Sequence, residues 1–156
     1  MIQRIQTVYL LLVAGLFIAL LFLPLAFIQS AGSAYTLTLC VVKSIAETSK
    51  IVSLTFPLAI TATVTAVLSI VAVFLYKKRK VQRLVCFAVL LSILVFCFLA
   101  GYYMMTMDKI QEISQNAVTT PSIWIAFPVV ACILNILAIN KINADEKLIR
   151  SLDRIR

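Results

Sequence analysis

The sequence predicts an all-α fold: a bundle of four transmembrane helices built as two helical hairpins, followed by a C-terminal cytoplasmic amphipathic helix. Three observations point there. Of 156 residues, 63% are hydrophobic and 13% charged, and the mean hydropathy is +1.08, far outside soluble usage. Uncharged stretches cover residues 5–42, 51–76, 84–107 and 113–140, each longer than the roughly 20 residues that cross a hydrocarbon core of about 30 Å. Breakers trim the first (Pro24, Gln29, Ser30, Gly32, Ser33) and the last (Gln115, Asn116, Pro121). The expected helices are therefore 5–28, 51–76, 84–107 and 121–140, a transmembrane domain over residues 1–142 with a tail over 143–156.

The first apolar run, with Arg4 ahead of it and Ala31, Gly32 and Ser33 behind, has some features of a secretory signal. A signal core has about 7 to 15 apolar residues, so this longer run reads as a retained helix. Gly15 and Ala19 in it form a small-xxx-small pair. Beyond it, Tyr35-Thr36-Leu37-Thr38 alternates polar and apolar residues and runs on into Leu39-Cys40-Val41-Val42. That pattern predicts an extended segment on the outer face.

In the second helix Ala62, Ala66 and Ser69 share one face, and small residues there let helices approach closely. Internal packing is the plain reading of this strip; docking of another membrane protein is the sharper one. Pro57 in the second helix and Pro128 in the fourth are expected about one turn inside, where proline kinks a helix. Such kinks splay helices or line a cavity. The second outer connection, residues 108–120, carries Ile110, Ile113 and Ala117 at helical spacing, so the third helix is expected to continue outward for a turn or two. Thr120 and Pro121 then read as N-cap and first-turn residue of the fourth helix. Trp124 suits an interfacial anchor. Asn135 is the one strongly polar side chain expected near mid-membrane, as interhelical glue or as a substrate contact.

In the tail, Asn143 and Glu146 resemble a capping box, and Leu148, Ile149, Leu152 and Ile155 fall on one side of a helix. A basic amphipathic helix of this kind lies on headgroups or docks a partner.

Eleven of the fourteen Lys and Arg lie before the first helix, between the second and third, or after the fourth. The positive-inside rule puts those three segments in the cytoplasm. The net charge of +8 is thus a topology signal and anchors to anionic lipid rather than to nucleic acid.

The two hairpins also rhyme. Ile2-Gln3-Arg4-Ile5 matches Val81-Gln82-Arg83-Leu84, Phe56-Pro57 matches Phe127-Pro128, and Leu68-Ser69-Ile70-Val71-Ala72 matches Leu134-Asn135-Ile136-Leu137-Ala138. The offsets slip along the chain, so a parallel duplication and chance matching of apolar helices both account for the likeness.

Chemistry is sparse. The four expected helices hold no ionisable Asp, Glu, Lys or Arg, and the chain has no histidine. This argues against proton-coupled transport or a charged pore formed by one chain, and it removes the commonest general base and metal ligand. Cys40, Cys86, Cys97 and Cys132 show neither a disulfide framework nor metal spacing. Catalytic residues, metal and cofactor are all expected to be none.

The opening Met1-Ile2-Gln3-Arg4-Ile5-Gln6-Thr7-Val8-Tyr9 and the closing Asp145-Glu146-Lys147-Leu148-Ile149-Arg150-Ser151-Leu152-Asp153-Arg154-Ile155-Arg156 are distinctive, because membrane insertion does not force polar ends. With the Tyr76-Lys77-Lys78-Arg79-Lys80 loop, the chain resembles the uncharacterised membrane family of Bacteroidota called domain of unknown function 4293. The resemblance implies a bacterial inner-membrane location and a role for the polar ends beyond charge. Candidate partner-docking residues are thus Gln3, Arg4, Gln6, Arg150, Asp153, Arg154 and Arg156. Ala62, Ala66, Ser69, Pro57, Pro128 and Asn135 are candidates for helix packing or a cavity. The expected role is a non-catalytic accessory or scaffold subunit of an inner-membrane assembly, binding lipid and either another membrane protein or a second copy. The alternative is a small transporter or pore for a neutral or lipid-like solute, entering near Pro57, Asn135 and Pro128.

Overall fold

The computed structural model describes residues 3–30, 33–44, 51–107 and 118–153. Helix α1 (Gln3–Leu20) leads into strands β1 (Ala26–Ser30), β2 (Ser33–Leu37), β3 (Val41–Ser44) and β4 (Ile51–Leu54). Helix α2 (Phe56–Phe74) and a 3₁₀ turn (Leu75–Lys77) precede α3 (Arg79–Met107). Strand β5 (Val118–Pro121), a second 3₁₀ turn (Ile123–Ile125) and α4 (Ala126–Asp153) complete the chain. The fold is helical with a small sheet, not all-α.

The helices pack in a ring in which α1 touches α2 and α4, and α3 touches α2 and α4. Their buried positions explain why. They are Gln6, Leu10, Val13, Phe17 and Leu20 on α1, and Gln82, Cys86, Val89, Ile93 and Phe96 on α3. On α2 they are Leu58, Ala62, Thr65, Ser69 and Ala72; on α4, Ala131, Asn135, Ala138 and Ile142 continue the series from the buried Pro128. Steps alternate between three and four residues on every helix, the seam of a left-handed bundle. Bulk is divided between diagonals: α1 and α3 supply large side chains, while α2 and α4 supply mostly small ones. Phe17 and Phe96 accordingly meet edge to face on the axis, ring centroids 5.4 Å apart.

The sheet is an antiparallel array in the order β4-β3-β2-β1-β5. Strand periodicity gives it one inner face. Ala26, Ile28, Leu37 and Val42 are buried and join the bundle core beside Phe17, Leu58 and Phe96. Phe27 and Gln29, the alternate positions of β1, are exposed. The sheet therefore covers the end of the bundle opposite the α2–α3 turn. Thr55 locks it to α2: its amide donates to the Cys40 carbonyl at 3.0 Å and its hydroxyl to the Thr38 carbonyl at 3.0 Å.

Several expectations are corrected. The first helix stops at Leu20 rather than 28. Leu21 and Phe22 donate to Ile18 and Ala19, tightening the last turn, and Pro24 then prevents continuation. The extended segment expected over 35–42 falls in β2 and β3, but β1 was hidden in the first apolar run. Thr120 and Pro121 belong to β5 and do not start the fourth helix. The Thr120 hydroxyl donates to the Phe27 carbonyl at 3.0 Å instead of capping. The outward turns expected after the third helix lie mostly outside the described residues; α3 runs to Met107. Pro57 is the second residue of α2 and Pro128 the third of α4. Both sit in a first turn, where no i−4 amide bond is lost, so neither kinks its helix. Asn143 is not a cap: α4 continues unbroken through it to Asp153. At Gly15, exposed on α1, an added Cβ meets nothing within 4 Å, so no helix approaches closely there.

Among the described residues, three helical spans are long and apolar enough to cross a bilayer: Phe56–Phe74, Val81–Thr106 and Ile123–Ala144. The apolar part of α1, Ile5–Leu20, is shorter.

Candidate functional site

Polar side chains inside the bundle are few, and Thr65, Gln82 and Asn135 tie one helix to another. Thr65 of α2 and Ser92 of α3 lie 2.6 Å apart, hydroxyl to hydroxyl, and Thr65 also reaches the Thr61 carbonyl at 2.7 Å. Ser69 donates to the Thr65 carbonyl at 2.8 Å. Asn135 Nδ2 donates to the Cys86 carbonyl at 3.0 Å, binding α4 to α3. Gln82 Nε2 donates to the Ala72 carbonyl at 3.1 Å, closing the α2–α3 turn from within. Backbone carbonyls absorb most of this bonding capacity, so these groups hold helices together rather than line a polar passage.

Of the packing or cavity candidates, Ala62, Ala66, Ser69, Asn135 and Pro128 are buried, while Pro57 is exposed. They do not form one site. Ala62, Ala66 and Ser69 lie on the α2 seam, and Asn135 lies about two turns along α4 from Pro128.

Pro128 does border a cavity. Of the four neighbouring helix pairs, α3 and α4 pack least closely, and a space of about 260 Å³ opens between them near the sheet. Phe96, Cys97, Ala100, Gly101 and Met104 of α3 form one wall; Ile125, Pro128 and Val129 form the other, with Leu25 beside them. The cause is local. Ala100 and Gly101 put little bulk on α3, and a Cβ added at Gly101 would meet nothing within 4 Å. Of this lining Pro128 was named from the sequence, by way of a kink, and the α3 wall was missed, for which the Ala100-Gly101 pair was the visible signal.

The docking candidates cluster at the other end. Gln3 and Arg4 occupy the first turn of α1, and Gln6, buried, begins its seam. Gln82 holds the matching seam position on α3. Arg150 and Asp153 lie at the far end of α4; Arg154 and Arg156 lie outside the described residues. Arg83 Nη1 donates to Asn143 Oδ1 at a long 3.4 Å, joining the base of α3 to α4.

Among the described residues no three His, Cys, Asp or Glu side chains come together as a metal site. Comparison with curated proteins gives no match. The family described as "Domain of unknown function (DUF4293)" matches residues 2–155, and the chain belongs to that family.

Proposed function

We propose that the protein is a non-catalytic accessory or scaffold subunit of a bacterial inner-membrane assembly, crossing the bilayer four times with both termini cytoplasmic. The observation that carries the reading is the contrast between the two surfaces of the bundle. Outward residues are large and apolar on every helix, including Ile5, Val8, Leu11, Leu12 and Ile18 of the short α1. A soluble protein does not expose so continuous an apolar surface. Inside, Phe17 and Phe96 fill the axis, which favours support over conduction.

The shortness of α1 is compatible with a crossing. Eighteen residues span about 27 Å, and the chain stays apolar through Leu21, Phe22 and Leu23. Strand β1 follows at once, paired to β2 on one side and β5 on the other. Backbone satisfied in this way is tolerated near hydrocarbon. The unbroken α4 supports docking by the tail. Its 28 residues span about 42 Å, more than a bilayer core, so its end projects from the membrane rather than folding back onto headgroups.

Mild-detergent purification followed by mass spectrometry tests this reading, with stoichiometric partners or a second copy as the expected result. Loss of those partners on removing residues 145–156, with the protein still folded, would assign docking to the tail. Recovery of a lone monomer would overturn the scaffold role. The groove at Pro128 favours a second reading, transport of a lipid-like solute. Flux of a labelled lipid between the leaflets of reconstituted vesicles would support that alternative.

A further inference from the structure

We infer that the groove between α3 and α4 is a binding site for a single lipid acyl chain in the outer half of the bilayer. The inference rests on the membrane-spanning reading and goes beyond it, since a spanning helix pair need not hold any lipid in place. Four observations carry it.

The walls are apolar side chains apart from the Cys97 thiol, so neither water nor a polar solute gains a hydrogen-bonding partner there. The opening is continuous with the lipid-facing surface: Cys97 and Val129 on its walls are exposed, as are Phe98 and Val130 beside them. The dimensions suit a chain. Phe96 to Met104 is eight helical steps, about 12 Å of axis, and 260 Å³ exceeds what one protruding side chain would fill. Tyr102, Tyr103 and Trp124 are the chain neighbours of the lining residues Gly101, Met104 and Ile125 and are of residue types that settle at the headgroup level, so a chain anchored at that level would descend along the groove. A void in a close-packed protein forfeits dispersion contacts on its whole lining, and acyl chains are the apolar material present at that depth in greatest amount.

The test uses the full-length protein in vesicles containing a phosphatidylcholine with a photoreactive diazirine on its acyl chain, and maps the adducts. The expected result is labelling concentrated on residues 96–104 and 125–129, lost in Gly101→Leu, whose side chain enters the groove without a backbone clash. Labelling of Leu91 and Ile133, which face outward elsewhere, should be unchanged by that substitution. Adducts spread evenly over all outward residues and indifferent to Gly101→Leu would overturn the site while leaving the membrane reading intact. Adducts absent from every helix would overturn the membrane reading itself. The wild-type map decides the matter even if the variant does not fold.

Discussion

Asn135 donates through Nδ2 to the carbonyl of Cys86 at 3.0 Å, while its own Oδ1, equally buried, meets no donor among the described residues. The side chain is thus half satisfied. In membrane proteins one interhelical hydrogen bond contributes about 0.6 kcal/mol on average, whereas an unsatisfied buried acceptor costs about 1–3 kcal/mol. Cys86 keeps its place in the α3 ladder whether or not Asn135 bonds it. Asn135→Leu should therefore leave stability unchanged or raise it by about 1 kcal/mol. Asn135→Asp should lower it by about 3 kcal/mol, the cost of a charge at mid-membrane. Reversible unfolding in mixed micelles measures both. A large loss in Asn135→Leu would mean that the amide holds something beyond the α3–α4 contact.

How much of this was readable in advance varied by element. The second and third helices were in part: Lys77 and Asp108 mark where their apolar runs end, but the second starts at Phe56 rather than 51, because Ile51–Leu54 pair with β3 as strand β4, and the third starts at Arg79 rather than 84. Strand β1 was not. Ala26-Phe27-Ile28 is as apolar as the helix before it, and its partner β5 lies about ninety residues away, so only tertiary pairing decides its form. The Asn143 capping box failed for a related reason. A cap needs a break ahead of it, and Ile139 to Ile142 continue the seam of α4 without one. Pro128 was a cavity candidate only through an expected kink, whereas the groove beside it arises from the missing bulk at Ala100 and Gly101. The seam itself was latent: Gln6 pairs with Gln82 across an interval of 76 residues, whereas sequence likeness pairs Gln3 with Gln82.

The first-turn position of Pro57 makes a further prediction. A proline in a helix interior costs about 3 kcal/mol, but at the first turn its missing amide hydrogen has no intrahelical partner to lose. Pro57→Ala should thus change stability by no more than about 0.5 kcal/mol, and Ala66→Pro, in the interior of the same helix, should prevent folding. Similar losses in the two variants, read as the folded fraction in micelles, would return Pro57 to the role of a kink.

Phe17 and Phe96 close the centre of the bundle, and removing either ring tests the core and the pore reading together. Phe→Ala in a packed core costs about 3–5 kcal/mol, and Phe96→Ala should fall in that range by chemical unfolding. Phe17→Leu keeps most of the volume and should cost less than about 1.5 kcal/mol. If the protein is a support, vesicles carrying Phe96→Ala should leak a small neutral dye no faster than wild type, because Phe17, Leu20 and Ile93 still fill the core around it. Faster leakage confined to the variant would identify the two rings as a gate.

Cys40 offers a direct test of orientation with no engineered label. It lies exposed between β2 and β3 at the sheet end, whereas Cys86 is buried and Cys97, although exposed, stands on an outward apolar helix face. A membrane-impermeant maleimide needs water and a thiolate, and the sheet end supplies water access where the lipid-facing helices do not. If the basic α2–α3 turn is cytoplasmic, the reagent should modify Cys40 in cells whose outer membrane alone has been made permeable, and Cys40→Ser should abolish the reaction. Sealed inside-out vesicles should protect it. Modification in inside-out vesicles and protection in cells would reverse the orientation, placing the polar ends of α1 and α4 outside and removing the cytoplasmic docking face on which the scaffold role depends.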